Sequence, residues 1–262
     1  MKKKLSLIFA SLFIVILVIG GCSAKDKSAN DRVLGVIGAM EEEVEILKDK
    51  MDIKETVEVA GMEFYRGTLE NKNIVLVRSG VGKVNMATCT QILADKFNVT
   101  AVINSGVAGT LDPELNQGDI VISTDAVQHD FDTTVFGDPL GEISRLGITF
   151  FEANNNMIEI AKKASENVSG IHIKEGRVAS GDQFVAGGAI ADRIKENFGQ
   201  VSAVEMEGAS MAQVAYLNNI PFVILRSISD KADGGADLSY EEFLPIAAKN
   251  ASALVEEFIK IY

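Results

Sequence analysis

Six times along this chain a short apolar run gives way to glycine or to polar residues, and helix-like stretches separate most of these runs. The runs are Val33–Ile37 ending at Gly38, Asn73–Arg78 at Gly80, Val99–Asn104 at Gly106, Ile171–Ala179 at Gly181, Val201–Val204 at Glu205, and Pro221–Leu225 leading to Asp230. Runs of this length with turn residues at their ends read as strands, and their alternation with helical patterns predicts an α/β domain. Helices are expected over Glu41–Met51, Val84–Phe97, Asn154–Val168, Ala189–Phe198, Ala209–Leu217 and Tyr240–Tyr262. Val57–Ala60, Met62–Leu69 and Asn73–Arg78 read as a strand meander, and Gly118–Ala126 as a further strand. In α/β sheets ligands gather beyond the carboxyl ends of strands. Six polar ends in one domain therefore point to a shared ligand site. Asp230 is its first candidate, although alone it reads equally well as a cap of the following turn.

Residues 1–21 are a separate object. Lys2, Lys3 and Lys4 form a basic start, Leu5–Ile19 an apolar stretch, and Gly20-Gly21 stand directly before Cys22. The stretch is shorter than the ~20 residues of a spanning helix, so an uncleaved membrane anchor is the weaker reading. The small residues before a cysteine resemble a bacterial lipoprotein signal. On that reading Cys22 carries the lipid, residues 22–31 form a flexible tether, and the domain spans 32–262. The protein would then sit on the outer side of the cell membrane. Losing residues 1–21 would take the net charge from −12 to −15, and such an acidic chain is no general binder of nucleic acid. With Cys22 lipidated, Cys89 has no disulfide partner and reads as a small buried hydrophobe. Only His129 and His172 are available as imidazole ligands, so neither a metal site nor a cofactor is expected.

Other features bear on chemistry. Glu41, Glu42 and Glu43 open a helix, where carboxylates complement the macrodipole. Successive positions lie about 100° apart, so one of the three can turn inward, and the pattern does not choose which. Ser79-Gly80-Val81-Gly82-Lys83 is a glycine-bearing turn into a helix, where backbone N–H groups can face a ligand. It lacks the spacing of a P-loop. The polar loop from Gln128 to Pro139 has the length of a lid or binding loop. Carboxylates in separate roles suit cleavage of a glycosidic bond, one as acid to the leaving group and one toward water.

Ile37-Gly38-Ala39-Met40-Glu41-Glu42-Glu43, Ser79-Gly80-Val81-Gly82-Lys83, Ile103-Asn104-Ser105-Gly106-Val107-Ala108-Gly109, Ser180-Gly181-Asp182, Val204-Glu205-Met206-Glu207 and Arg226-Ser227-Ile228-Ser229-Asp230 occur in one order and spacing. Together they resemble the 5′-methylthioadenosine/S-adenosylhomocysteine nucleosidases of the purine nucleoside phosphorylase superfamily. The resemblance implies a single α/β domain, a mixed twisted central sheet flanked by helices, and a homodimer. It implies hydrolysis of 5′-methylthioadenosine and S-adenosylhomocysteine, and of 5′-deoxyadenosine, to adenine and a 5-substituted ribose. Carried over by motif, Asp230 is the acid toward adenine N7, steadied by Ser229, and Glu43 activates the water. Glu207 binds the ribose hydroxyls with Met206 against the sugar, Phe184 stacks on adenine, and the Val185 backbone reads its edge. Val81, Val107, Phe136 and Phe243 complete the implied substrate-binding set. Arg226 reads as an ion-pair partner of the acids.

The sequence departs from the family pattern in three places. Many members carry a phenylalanine and a tyrosine, reaching the neighbouring subunit's pocket, where this chain has Val135-Phe136-Gly137-Asp138. Phe136 fits, while Asp138 is not aromatic. Val107 stands where serine is frequent, and the lipoprotein-like start is absent from the usual cytoplasmic enzyme. Two alternatives stay open. One is a phosphorylase, against which stand Glu42 and Asn104 where that reaction's phosphate-binding arginines would be. The other is a non-catalytic nucleoside-binding surface lipoprotein.

Overall fold

A computed structural model describes residues 32–232 and 236–262. The expected signal peptide, tether and Cys22 lie outside the described residues. Among the described residues ten strands form one mixed sheet, as the α/β alternation and the resemblance led one to expect. At its centre β1 (Val33–Gly38) runs parallel to both β4 (Lys72–Arg78) and β5 (Ala101–Gly109), with Val36 opposite Leu76 and Ile103. A meander extends one edge through β3 (Met62–Leu69) to β2 (Asp52–Val59), both pairings antiparallel. The outermost strand begins well before the expected Val57, because Asp52, Lys54 and Glu55 are exposed edge residues whose charge hides a strand from a hydrophobicity reading.

On the other side of β5 the sheet curls back on itself. β10 (Phe222–Asp230) runs parallel to β5, and β6 (Ile120–Gln128) pairs antiparallel with β10. β8 (Ile173–Ser180) and β9 (Val201–Glu205) follow in parallel, and the short β7 (Phe151–Glu152) pairs with β6. The circuit closes where β9 meets β5 antiparallel, through the single pair Gly109–Val204. Both residues stand near the carboxyl ends of their strands, so two sets of strands meet tail to tail at this seam.

α1 (Glu41–Lys50), α3 (Asn155–Ser165) and α6 (Ala236–Ile261) pack together, with α6 lying on β5 and β10. α2 (Lys83–Phe97) pairs with α5 (Gly208–Leu217), and α4 (Gly188–Phe198) rests on β9. The core is continuous from Leu34 and Phe64 to Leu254 and Phe258. Cys89 sits in it, fully buried, and burial pushes its thiol pKa up, as a small hydrophobe's would be. Among the described residues no helix is long and apolar enough to cross a membrane. Nor does any group of three or more His, Cys, Asp or Glu there form a cluster able to hold a metal ion.

Candidate active site

At the seam lies a cavity of about 580 Å³, lined from all six strand ends. β1 leads to Ala39, Met40 and Glu43, β4 to Val81, and β5 supplies Val107, Ala108 and Gly109. β8 leads to Gln183, Phe184 and Val185, β9 to Val204–Glu207, and β10 to Ser229 and Asp230.

Asp230 is buried at the last position of β10. A register irregularity after Ile228 sets it opposite Gly109. Its Oδ1 accepts from the Ala232 amide at 2.9 Å, and Ser229 Oγ donates to its Oδ2 at 2.9 Å. The same hydroxyl lies 3.2 Å from the Ala108 carbonyl, which gives Ser229 a second partner. A carboxylic acid at the end of the apolar run Phe222–Leu225 is thus fixed in orientation before any ligand arrives.

Of the three glutamates opening α1, Glu41 and Glu42 are exposed and Glu43 turns inward at 3% exposure. Glu41 pairs with Arg78 at 3.4 Å on the surface. Glu43 Oε2 accepts from the amides of Ala39 (2.6 Å) and Met40 (3.0 Å), and Oε1 from Val107 at 3.0 Å. Burial pushes its carboxyl up, against the pull of Arg226 and these three amides.

Glu207 Oε1 accepts from the Gly82 amide at 2.8 Å. Burial, then the neighbouring Glu205 carboxylate, push its pKa to about 7, with Arg226 and the Gly82 amide opposing. The glycine-bearing turn at the start of α2 therefore points its amides at carboxylates of the protein, Glu207 from Gly82 and Asp182 from Lys83 (2.8 Å). Gly82 holds φ at +98°, a conformation that side chains resist.

Behind the cavity Arg226, fully buried on β10, joins the acids. It bonds Glu205, lies 3.5 Å from Glu207 and 3.9 Å from Glu43, and donates to Asn104 Oδ1 at 2.5 Å. The expected ion-pair role is what the geometry gives. Asn104 is engaged on both ends, since its Nδ2 donates to the Ile37 carbonyl at 3.1 Å. One buried cation among three glutamates leaves the site with surplus negative potential, suited to a positive charge developing on a ligand.

Nine residues read from the sequence line this one cavity: Asp230, Glu43, Glu207, Met206, Phe184, Val185, Ser229, Val107 and Val81. Two others do not. Phe136 stands on a 3-10 turn, Thr134–Phe136, with 83% of its surface exposed. Phe243 is a correction: it is half-buried on α6 away from the lining, and Tyr240 takes the wall position instead. Three helical residues carry a side chain about 4.5 Å along the axis, so only the earlier aromatic reaches the mouth. Tyr240 meets Phe184 edge to face, with ring centroids 5.8 Å apart, and its hydroxyl donates to Met40 Sδ at 3.1 Å. Burial, aided by Glu43 and other acids, pushes its phenol to about 12. Cys22 lies outside the described residues.

The phosphorylase superfamily model matches residues 33–260, nearly all of the described chain. The chain belongs to the 5′-methylthioadenosine/S-adenosylhomocysteine nucleosidase family of the phosphorylase superfamily. The nucleosidase of that name from Psychromonas ingrahamii is 48% identical over 226 residues, covering 86% of this chain and 97% of its own. A Neisseria meningitidis nucleosidase, solved with methylthio-immucillin-A, superposes at a TM-score of 0.86 with 39% identity, covering 88% of this chain and 100% of that one. Futalosine hydrolase of Helicobacter pylori also shares the fold, at a TM-score of 0.83 and 34% identity over 88% of this chain and 98% of its own. The nucleosidase family thus accounts for the fold and for the six motifs around the cavity.

Proposed function

We propose that this protein hydrolyses the N-glycosidic bond of 5′-methylthioadenosine and S-adenosylhomocysteine, releasing adenine and the 5-substituted ribose, and that it acts on 5′-deoxyadenosine as well. The observation that carries the reading is the meeting of Asp230, Glu43 and Glu207 in one apolar-walled cavity with Phe184 at its side. Their roles follow from chemistry. Asp230 protonates the purine N7, so that the base leaves as a neutral molecule while the sugar takes on oxocarbenium character. Ser229 keeps the acid aimed. Glu43, held by three amides, directs a water at the anomeric carbon, and its charge with those of the neighbouring acids favours the positive sugar. Glu207 accepts from the vicinal ribose hydroxyls, Met206 and Val107 pack on the sugar side, and Phe184 grips the purine face. The Val185 backbone reads the edge of the base, and Val81 completes the wall.

Hydrolysis is favoured over phosphorolysis by the charge of the site. A phosphate dianion would enter among buried glutamates whose one arginine is already engaged, with Asn104 bonded at both ends and Glu42 on the surface. The test is adenine release from 5′-methylthioadenosine with and without phosphate. Equal rates are expected, and strict phosphate dependence would refute the hydrolase. Asp230→Asn should lose turnover by roughly two to four orders of magnitude, the scale of general acid catalysis, while still binding the nucleoside.

The assembly and location belong to the same reading. The exposed Phe136 turn, with Val135 also exposed, supports a homodimer in which this segment meets the neighbouring subunit. Asp138 there bonds Thr133 and Ser144 within its own chain, so an aromatic contact from that position is missing. Residues 1–21 act as a lipoprotein signal, Cys22 carries the lipid, and residues 22–31 tether the domain 32–262 outside the cell membrane.

A further inference from the structure

Three residues that line no part of the cavity form a closed ring behind one of its walls. The Lys83 amide donates to Asp182 Oδ1 at 2.8 Å, and the Asp182 amide donates to Asp130 Oδ2 at 2.9 Å. Lys83 Nζ completes the ring on Asp130 Oδ1 at 2.5 Å and reaches Gln128 Oε1 at 3.2 Å. The ring ties together the start of α2, the loop after β6 and the loop after β8. Its logic starts in the sequence. α2 opens at Gly82 with no capping side chain and no acid in its first turn. A helix start wants a carboxylate for its free amides and its dipole, and Asp182 supplies one from 99 positions away. Burial would push the Asp130 carboxyl up, but Lys83 and the Asp182 amide hold it below its ordinary value.

Two consecutive amides are therefore held by two different carboxylates. Gly82 donates to Glu207 inside the cavity, and Lys83 donates to Asp182 behind it. The two N–H groups sit on successive peptide units that share Gly82 Cα, where φ is +98°, so anchoring the Lys83 unit on Asp182 narrows the directions from which the Gly82 N–H can meet Glu207. Asp182 also directly precedes Gln183, Phe184 and Val185, which line the cavity.

We propose that Asp182 is a positioning residue, which through the Lys83 and Gly82 amides sets the carboxylate of Glu207 for the sugar hydroxyls. The inference rests on the reading of Glu207 as the diol acceptor. Asp182 is solvent-exposed, so its effect is that of one modest hydrogen bond: Asp182→Ala should raise KM for 5′-methylthioadenosine roughly three- to tenfold with kcat little changed. Asp182→Asn keeps an acceptor oxygen for Lys83 and should restore most of the affinity. In a Glu207→Gln background the Asp182→Ala change should cost little more, since the two act in one line. A fully additive loss in that background, an Asp182→Ala enzyme with unaltered KM, or an Asp182→Asn no better than Ala would overturn the proposal. Amide exchange gives a readout independent of turnover. The Gly82 N–H should exchange faster in Asp182→Ala, and unchanged protection there rejects the positioning role even if the wild type released no adenine. That last result, with the Gly82 prediction met, would fault the functional reading alone.

Discussion

At the scale of single residues, the site separates groups that look identical in sequence. Glu41, Glu42 and Glu43 differ only in which way the helix turns them, and only Glu43 reaches the buried amides of Ala39, Met40 and Val107. Composition could not choose among them, whereas the family motif could. Glu205 and Glu207 are likewise two residues apart, yet Glu205 is spent on Arg226 and the amides of Glu207 and Gly208, leaving Glu207 toward the cavity. Glu207 gives the clearest pH prediction. Its pKa is raised to about 7 from 4.5, so it is protonated below pH 7 and a poorer acceptor for the ribose hydroxyls. KM for 5′-methylthioadenosine should therefore rise as pH falls through about 7, and Glu207→Gln should flatten that limb. The linkage to stability has the opposite sense. An acid raised on folding stabilises fully below its unfolded value of 4.5, and that contribution is lost as pH rises through 7. Glu207→Gln should accordingly gain more in Tm at pH 8 than at pH 5.

At the scale of elements, most strands were legible, because Val33–Ile37 and Phe222–Leu225 are short apolar runs, rich in β-branched residues and bounded by glycine or proline, as buried strands are. The end of β5 was not. Ser105-Gly106-Val107-Ala108-Gly109 reads as a loop dissolving after Asn104, yet the strand continues to Gly109. Pairing with β10 overrides weak local propensity there, Gly106 lying opposite Arg226 and Gly109 opposite Asp230. The missing side chain is the reason for the glycine. A Cβ at position 106 would overlap Arg226 Nη1 and Glu43 Oε1. Gly106→Ala should thus destabilise by roughly 1–3 kcal/mol and lower turnover together. A variant with wild-type Tm and kcat would show that this approach is looser than it looks. Tyr240 was missed for a different reason. Helical periodicity marks which residues share a face, but not which turn of α6 stands at the cavity mouth.

For the whole molecule, the α/β class and the gathering of strand ends were readable, since six polar ends needed somewhere to meet. The closure of five strands into a ring was not, because the pair Gly109–Val204 that completes it joins residues with no local signal for each other. That seam brings the acid of β10 against the glutamates after β1 and β9, far apart in sequence. The proposed placement of the enzyme outside the cell membrane rests on the sequence of residues 1–31 and has its own test. Cys22→Ser should shift the protein from the membrane fraction to the soluble fraction, with catalysis unchanged. An unaltered distribution would point to an uncleaved anchor.

The central claim is that a buried acid and a directed water cleave the glycosidic bond. The direct measurement is turnover of 5′-methylthioadenosine in phosphate-containing buffer made with ¹⁸O-water, with mass analysis of the sugar product. The account predicts adenine together with a methylthioribose carrying one ¹⁸O, bonded at the carbon that held the base. A sugar 1-phosphate, or no release of adenine, would contradict it.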